Sequence, residues 1–99
     1  MKRQSILGLA IVLLALLGGC GPTIEEKVHN LLQSANDWSD KGQYDQAIKE
    51  YNYAIRLDPK YASAWRNRGD AYKKLGKKAK AKADFLKAEE LEAKAKSEP

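Results

Sequence analysis

The chain has 99 residues and a mass of 11.1 kDa, with 18 Lys and Arg against 13 Asp and Glu for a net charge of +5. That length allows one small domain, and one Cys, one His and one Met leave no material for a disulfide scaffold, a multi-ligand metal site or a Cys/His catalytic pair. Some 80 residues beyond the first 19 are near the lower limit for a self-sufficient core, which disfavours an enzyme with a deep pocket of its own.

Lys2 and Arg3 open the chain with positive charge, and from Ile6 to Leu17 every residue is Ile, Leu, Val, Ala or Gly. A charged start, an apolar stretch of this length and small residues after it form the secretory signal pattern. The run is shorter than the roughly 20 apolar residues a membrane-crossing helix needs. It ends in Leu17-Gly18-Gly19-Cys20. An apolar residue, two small residues and a Cys resemble the lipobox of bacterial lipoproteins. The resemblance implies cleavage before Cys20, leaving residues 1–19 as a signal peptide, with a diacylglycerol on the Cys20 thiol and often an acyl group on the new amino terminus. Two acyl chains are what stable anchoring requires. Gly21 in place of Asp resembles the outer-membrane class, which implies an envelope location. In a diderm bacterium that is the outer membrane facing the periplasm. In a monoderm it is the outer face of the plasma membrane.

Thr23 and Glu26 have the Thr-x-x-Glu spacing of a capping box, so a helix is expected to begin within a few residues of the lipid. Residues 20–27 then hold the lipidated Cys, a minimal linker and the helix start. Four helices are predicted: Ile24 to about Lys41, stopped by Gly42; Tyr44 to Leu57, stopped by Asp58-Pro59; Tyr61 to Leu75, stopped by Gly76; and Lys77 to about Lys96. No stretch alternates with the two-residue period of a strand.

The chain also repeats itself. Gly42 and Gly76 lie 34 residues apart, as do Trp38 and Tyr72, Ala47 and Ala81, Tyr51 and Phe85, Ala54 and Ala88, and Leu57 and Leu91. Numbered from Ala62, the motif is Trp65, Gly69, Tyr72, Ala81, Phe85 and Ala88; numbered from Val28, it is Leu31, Ala35, Trp38, Ala47, Tyr51, Ala54 and Pro59. It resembles the tetratricopeptide repeat, with residues 28–61 and 62–95 as two repeats and 96–99 as a tail; Ala93 replaces the second repeat's final Pro. The expected fold is all-α, a short solenoid of two helix–turn–helix units. Small residues at Ala35, Gly69, Ala47 and Ala81 are expected to let paired helices approach. The rings of Trp65, Tyr72, Tyr51 and Phe85 are expected to fill the core.

The resemblance further implies a concave groove for an extended peptide or a partner helix, lined by His29, Leu32, Asn36, Ser39 and Asp40 from the first repeat and Ser63, Arg66, Asp70, Lys73 and Lys74 from the second, with Asn67 at its edge. Asn36 and Asn67 occupy two places that related proteins use to clamp a C-terminal carboxylate. Leu32 stands where a Lys usually joins them, so only part of that clamp is expected.

Charge is uneven. Residues 21–59 are net −3 and residues 60–99 net +6. Lys73, Lys74, Lys77, Lys78, Lys80 and Lys82 form a basic block, which is either a solvated surface or a contact for anionic lipid, envelope polymer or an acidic protein. Nucleic acid is disfavoured for an exported chain. The opposite charges of the two repeats leave head-to-tail homo-oligomers open. His29 stands without a second His or a Cys, so no metal site is expected, and no catalytic set is recognisable. The expected function is a lipid-anchored, non-catalytic adaptor for another protein at the envelope. The alternative is a structural lipoprotein whose lysines bind anionic lipid or cell-wall polymer.

Overall fold

The structure is a computed structural model that describes residues 21–97. The proposed signal peptide and Cys20 lie outside the described residues. Four α-helices follow one another: α1 Ile24–Asp40, α2 Tyr44–Leu57, α3 Ala62–Lys74 and α4 Lys78–Ser97. Helix α1 packs on α2, α3 on α4, and α2 on α3, so the chain forms two helical hairpins laid side by side. No helix among the described residues is long and apolar enough to cross a membrane.

The ends of the helices follow from local chemistry. The Thr23 hydroxyl accepts from the Glu26 amide at 3.2 Å while the Glu26 carboxylate accepts from the Thr23 amide at 3.3 Å, completing the capping box. Glu25 and Glu26 also sit where the helix dipole favours negative charge. Helices α1 and α3 end in the same way. Gly42 and Gly76 take φ of 79° and 78°, a left-handed conformation open to Gly at little cost. In each turn the amide after the Gly donates back to an aromatic residue's carbonyl: Gln43 to Trp38 and Lys77 to Tyr72, both at 2.8 Å. This is the Schellman arrangement, and it recurs at the repeat period.

The expected boundaries hold at both ends of α2 and at the start of α1, and elsewhere they differ by one residue. Tyr61 is extended and caps α3 from outside, and Leu75 caps its other end. The Lys77 amide is spent on the turn, so α4 begins at Lys78. Between α2 and α3, the Asp58 carboxylate accepts from the Lys60 amide at 3.1 Å, and the Trp65 indole N–H donates to the Pro59 carbonyl at 2.9 Å. That bond fastens the incoming helix to the turn.

Val28, Leu32, Ala35, Ala47, Ile48, Tyr51, Ala54, Ile55, Ala64 and Ala71 form the buried core. Many are alanines, which lets helix backbones come close. The tightest approach is at Gly69. A Cβ there would lie 2.8 Å from Cε1 of Phe85 and 3.2 Å from Cβ of Asp84. Of the four rings expected in the core, Tyr51 alone is fully buried; Trp65, Tyr72 and Phe85 are half-buried at its margin. Trp38 is exposed, with the Lys41 ammonium 5.5 Å from its ring centre.

The second hairpin is held by charge as much as by apolar contact. Asp84 of α4 is only 3% exposed. It accepts two bonds from Arg68 of α3, from Nε at 2.8 Å and Nη2 at 2.7 Å. The remaining guanidinium nitrogen, Nη1, donates to Asn52 of α2 at 2.8 Å. The guanidinium also stacks over Trp65 and Tyr72, at 4.9 and 5.6 Å. One side chain thus joins three helices, and the carboxylate holds it firmly in its charged form.

Two outcomes are expected. Gly69→Leu should lower stability by about 1–3 kcal/mol in chemical denaturation, because its side chain must displace Phe85; an unchanged midpoint would contradict the packing of α3 on α4. Arg68→Ala should cost about 3–5 kcal/mol, because it strands a buried carboxylate. The loss should be much smaller in Arg68→Met/Asp84→Leu, where no buried charge is left unpaired. A double variant as unstable as Arg68→Ala would argue against this account.

Candidate functional site

Helices α1 and α3 are the first helices of the two hairpins, and a polar cavity of about 340 Å³ lies where they meet over α2. Its walls are Asn36, Ser39 and Asp40 of α1 and Asn67 and Asp70 of α3, and its floor is Tyr51 of α2. Five of these six residues are among those expected to line the groove. The spacing explains why they converge. Residues three and four apart share a helix face, so Asn36, Ser39 and Asp40 form one wall, as do Asn67 and Asp70.

A hydrogen-bonded junction organises the cavity. The Asn36 side-chain oxygen accepts from the Tyr51 hydroxyl and from the Asn67 amide, the latter at 3.2 Å. These contacts fasten α1 to α2 and to α3 at one atom. Burial, and then the charges of Asp70, Asp40 and Glu50, push the Tyr51 hydroxyl up to about 12, so it stays a donor throughout the physiological range.

The expected carboxylate clamp needs correcting on this geometry. Asn36 and Asn67 do come together, but they bond to each other, and the Asn36 oxygen is already shared with Tyr51. Asp40 and Asp70 add negative charge to the same walls. Leu32 is a second correction. It is 6% exposed and belongs to the core, so it does not line the groove. An apolar side chain at that place turns toward α2, where a longer cation would have reached for solvent.

The other expected lining residues lie around this centre. His29 is exposed and its ring nitrogen pairs with the Gln33 amide at 3.1 Å. Ser63 is exposed on α3, two helical turns before Asp70. Arg66 bonds to Glu92 of α4. Lys73 and Lys74 are exposed at the end of α3. The basic block is divided by the fold. Lys73, Lys78 and Lys82 rim an apolar cleft on the outer side of the second hairpin, and Lys80 lies 5.5 Å from the Tyr72 ring centre. No group of three or more His, Cys, Asp or Glu among the described residues could hold a metal ion.

Sequence reading missed Tyr51 as the cavity floor and the Arg68–Asp84 pair that joins α3 to α4. A signal for the first was available: a buried tyrosine needs a partner for its hydroxyl. Its partner, Asn36, stands 15 residues earlier on another helix.

Two family models match, one described as TPR repeat over residues 39–76 and one as Tetratricopeptide repeat over residues 62–94. The chain is also similar to the Superkiller complex protein 3 of Mus musculus, 40% identical over 50 residues, which is 50% of this chain and 3% of that protein. It is 38% identical to the Hsp70-Hsp90 organizing protein of Triticum aestivum over 60 residues, 61% of this chain and 10% of that protein. The chain thus spans only a small part of the length of either relative.

The burial of the Tyr51 hydroxyl among Asp70, Asp40 and Glu50 predicts a pH signature. A folded-state pKa near 12, above the ordinary 10, means that the fold selects the protonated phenol. Its stabilisation is intact below pH 10 and is lost as pH rises toward 12. Tyr51→Phe should therefore cost about 1 kcal/mol at neutral pH, and the gap between variant and wild type should shrink above pH 10 in denaturant titrations. A gap that stays constant up to pH 12 would count against the burial of this hydroxyl.

Proposed function

Because this chain belongs to the tetratricopeptide repeat family, a family of protein–protein interaction modules, we propose that it is a non-catalytic adaptor at the bacterial cell envelope that holds a partner polypeptide in the groove between α1 and α3. The observation that carries this reading is the cavity walled by Asn36, Ser39, Asp40, Asn67 and Asp70, where two helices present side-chain polar groups to one open space. Its charge states the ligand chemistry. Two aspartates and no cation among the cavity's lining residues suit a segment that brings a Lys or Arg side chain, in contrast to a free C-terminal carboxylate.

The envelope part of the reading rests on Leu17-Gly18-Gly19-Cys20, with lipid on Cys20. The early start of α1 supports it. Three residues separate Cys20 from Ile24, a reach of about 10 Å when extended. An anchor at Cys20 would hold the groove near the membrane surface, at the outer membrane in a diderm or the outer face of the plasma membrane in a monoderm.

Two measurements test the halves separately. Labelled fatty acid should enter the wild type and be lost in Cys20→Ala; undiminished label would overturn the anchor. A photoreactive residue at Ser63 should crosslink a polypeptide in cells, and Asp40→Lys/Asp70→Lys should abolish the crosslink without changing the helical melt. A crosslink that survives this charge reversal would overturn the groove.

A further inference from the structure

The two repeats are not alike on the face turned toward the far end of the chain. In the first repeat that face is seated by a helix: α3 packs on α2, Ala47, Ile48 and Tyr51 are buried in one core with Ala64 and Ala71 of α3, and Arg68 reaches Asn52. Moving 34 residues along gives Ala81, Lys82, Phe85 and Leu86. Those residues, with Lys73 and Lys78, line a cleft of about 300 Å³ between α3 and α4. No described residue covers it. Leu86 is 56% exposed, and the Phe85 ring is half-exposed. The substitutions between repeats are directional. Asn52 becomes Leu86, so one wall turns apolar, and Ile48 becomes Lys82, so the opposite rim turns cationic. Tyr44 becomes Lys78 and Ser39 becomes Lys73.

We propose that this cleft docks an acidic amphipathic helix of a partner protein. The shape argument comes from the chain itself, since the equivalent cleft in the first repeat holds a helix. The floor of Ala81, Phe85 and Leu86 takes an apolar stripe, and Lys73, Lys78 and Lys82 meet acidic residues flanking that stripe. A second copy of this chain fits poorly. Where α3 presents Ala64 and Ala71 to the preceding repeat, α1 carries Asn30 and Asp37, both exposed, so its outer face lacks the small apolar contacts. Two copies meeting through their clefts would oppose lysines to lysines. The chain's own apolar run from Ile6 to Leu17 has no acidic residue to offer them.

The test uses the full-length chain and a fluorescein-labelled helical peptide of about 18 residues, long enough to hold a helix. The peptide carries a Leu and Ala stripe flanked by Glu; a control carries Lys at every Glu position. Anisotropy should show the Glu peptide binding. Leu86→Glu and Lys78→Glu/Lys82→Glu should each weaken it by about tenfold or more. The Lys peptide should bind Lys78→Glu/Lys82→Glu better than wild type. All these side chains are exposed, and matching circular dichroism melts would show that the variants fold. Asp70→Asn should leave the Glu peptide's affinity unchanged, which separates this face from the groove between α1 and α3. Equal affinity for both peptides, or loss through Asp70 with none through Leu86, would overturn the proposal. So would binding to phosphatidylglycerol vesicles, absent for phosphatidylcholine vesicles, that falls with the same variants while the Glu peptide does not bind. That result would make the face a membrane contact.

Discussion

Arg68 holds three of the four helices at one point, and the second hairpin depends on it. Helix α4 buries only Ala81, Asp84 and Ala88 fully, which is little apolar surface for twenty residues. Alanine, lysine and glutamate make it a good helix by propensity, but propensity does not dock a helix. Docking comes from the bidentate Arg68–Asp84 pair, shielded under Trp65 and Tyr72 and tied to Asn52 across the repeat boundary. The exposed pairs on the same helix, Glu90 with Lys87 and Lys94, add little by comparison. A bidentate pair whose third guanidinium nitrogen is also bonded fixes direction. It sets which turn of α4 faces which turn of α3, and so places Phe85 against Gly69.

From that placement the two working surfaces follow. The groove between α1 and α3 is polar and acidic, and its residues are held by the Asn36 junction. The cleft between α3 and α4 is apolar with a cationic rim. They share α3 as a wall and face different ways. Their chemistries are unlike: two aspartates on the one, three lysines around an apolar floor on the other.

The helical plan was legible in the sequence because punctuation and period agreed. Thr23 with Glu26, the two glycines 34 residues apart and Pro59 marked the ends, and the 34-residue repeat of small residues and rings marked the pairing. What the sequence hid was pairing across distance. Asp84 looks like any charge in a Lys- and Glu-rich helix, and nothing local says that Arg68, sixteen residues earlier, will bury it. Leu32 misled for the opposite reason. Its repeat position belongs to a groove wall, but its apolar chemistry sends it into the core. The Phe85 ring stops half-buried, where its counterpart Tyr51 is covered, because no further helix among the described residues closes over it.

The two glycine turns have a consequence for how the molecule comes apart. Each hairpin is closed by the same left-handed Gly and the same back-bonded amide, while their buried residues form one shared core. The hairpins meet at one junction, mainly α2 against α3, with α1 touching α3 beside it. In a long array of such units, cooperativity is shared among many seams, and the loss of one leaves stable blocks on either side. Here there is one seam, and the contacts that bridge it, Asn67 to Asn36 and Arg68 to Asn52, come from adjacent residues of one helix. The groove, whose walls come from both α1 and α3, exists only while the two hairpins stay packed together.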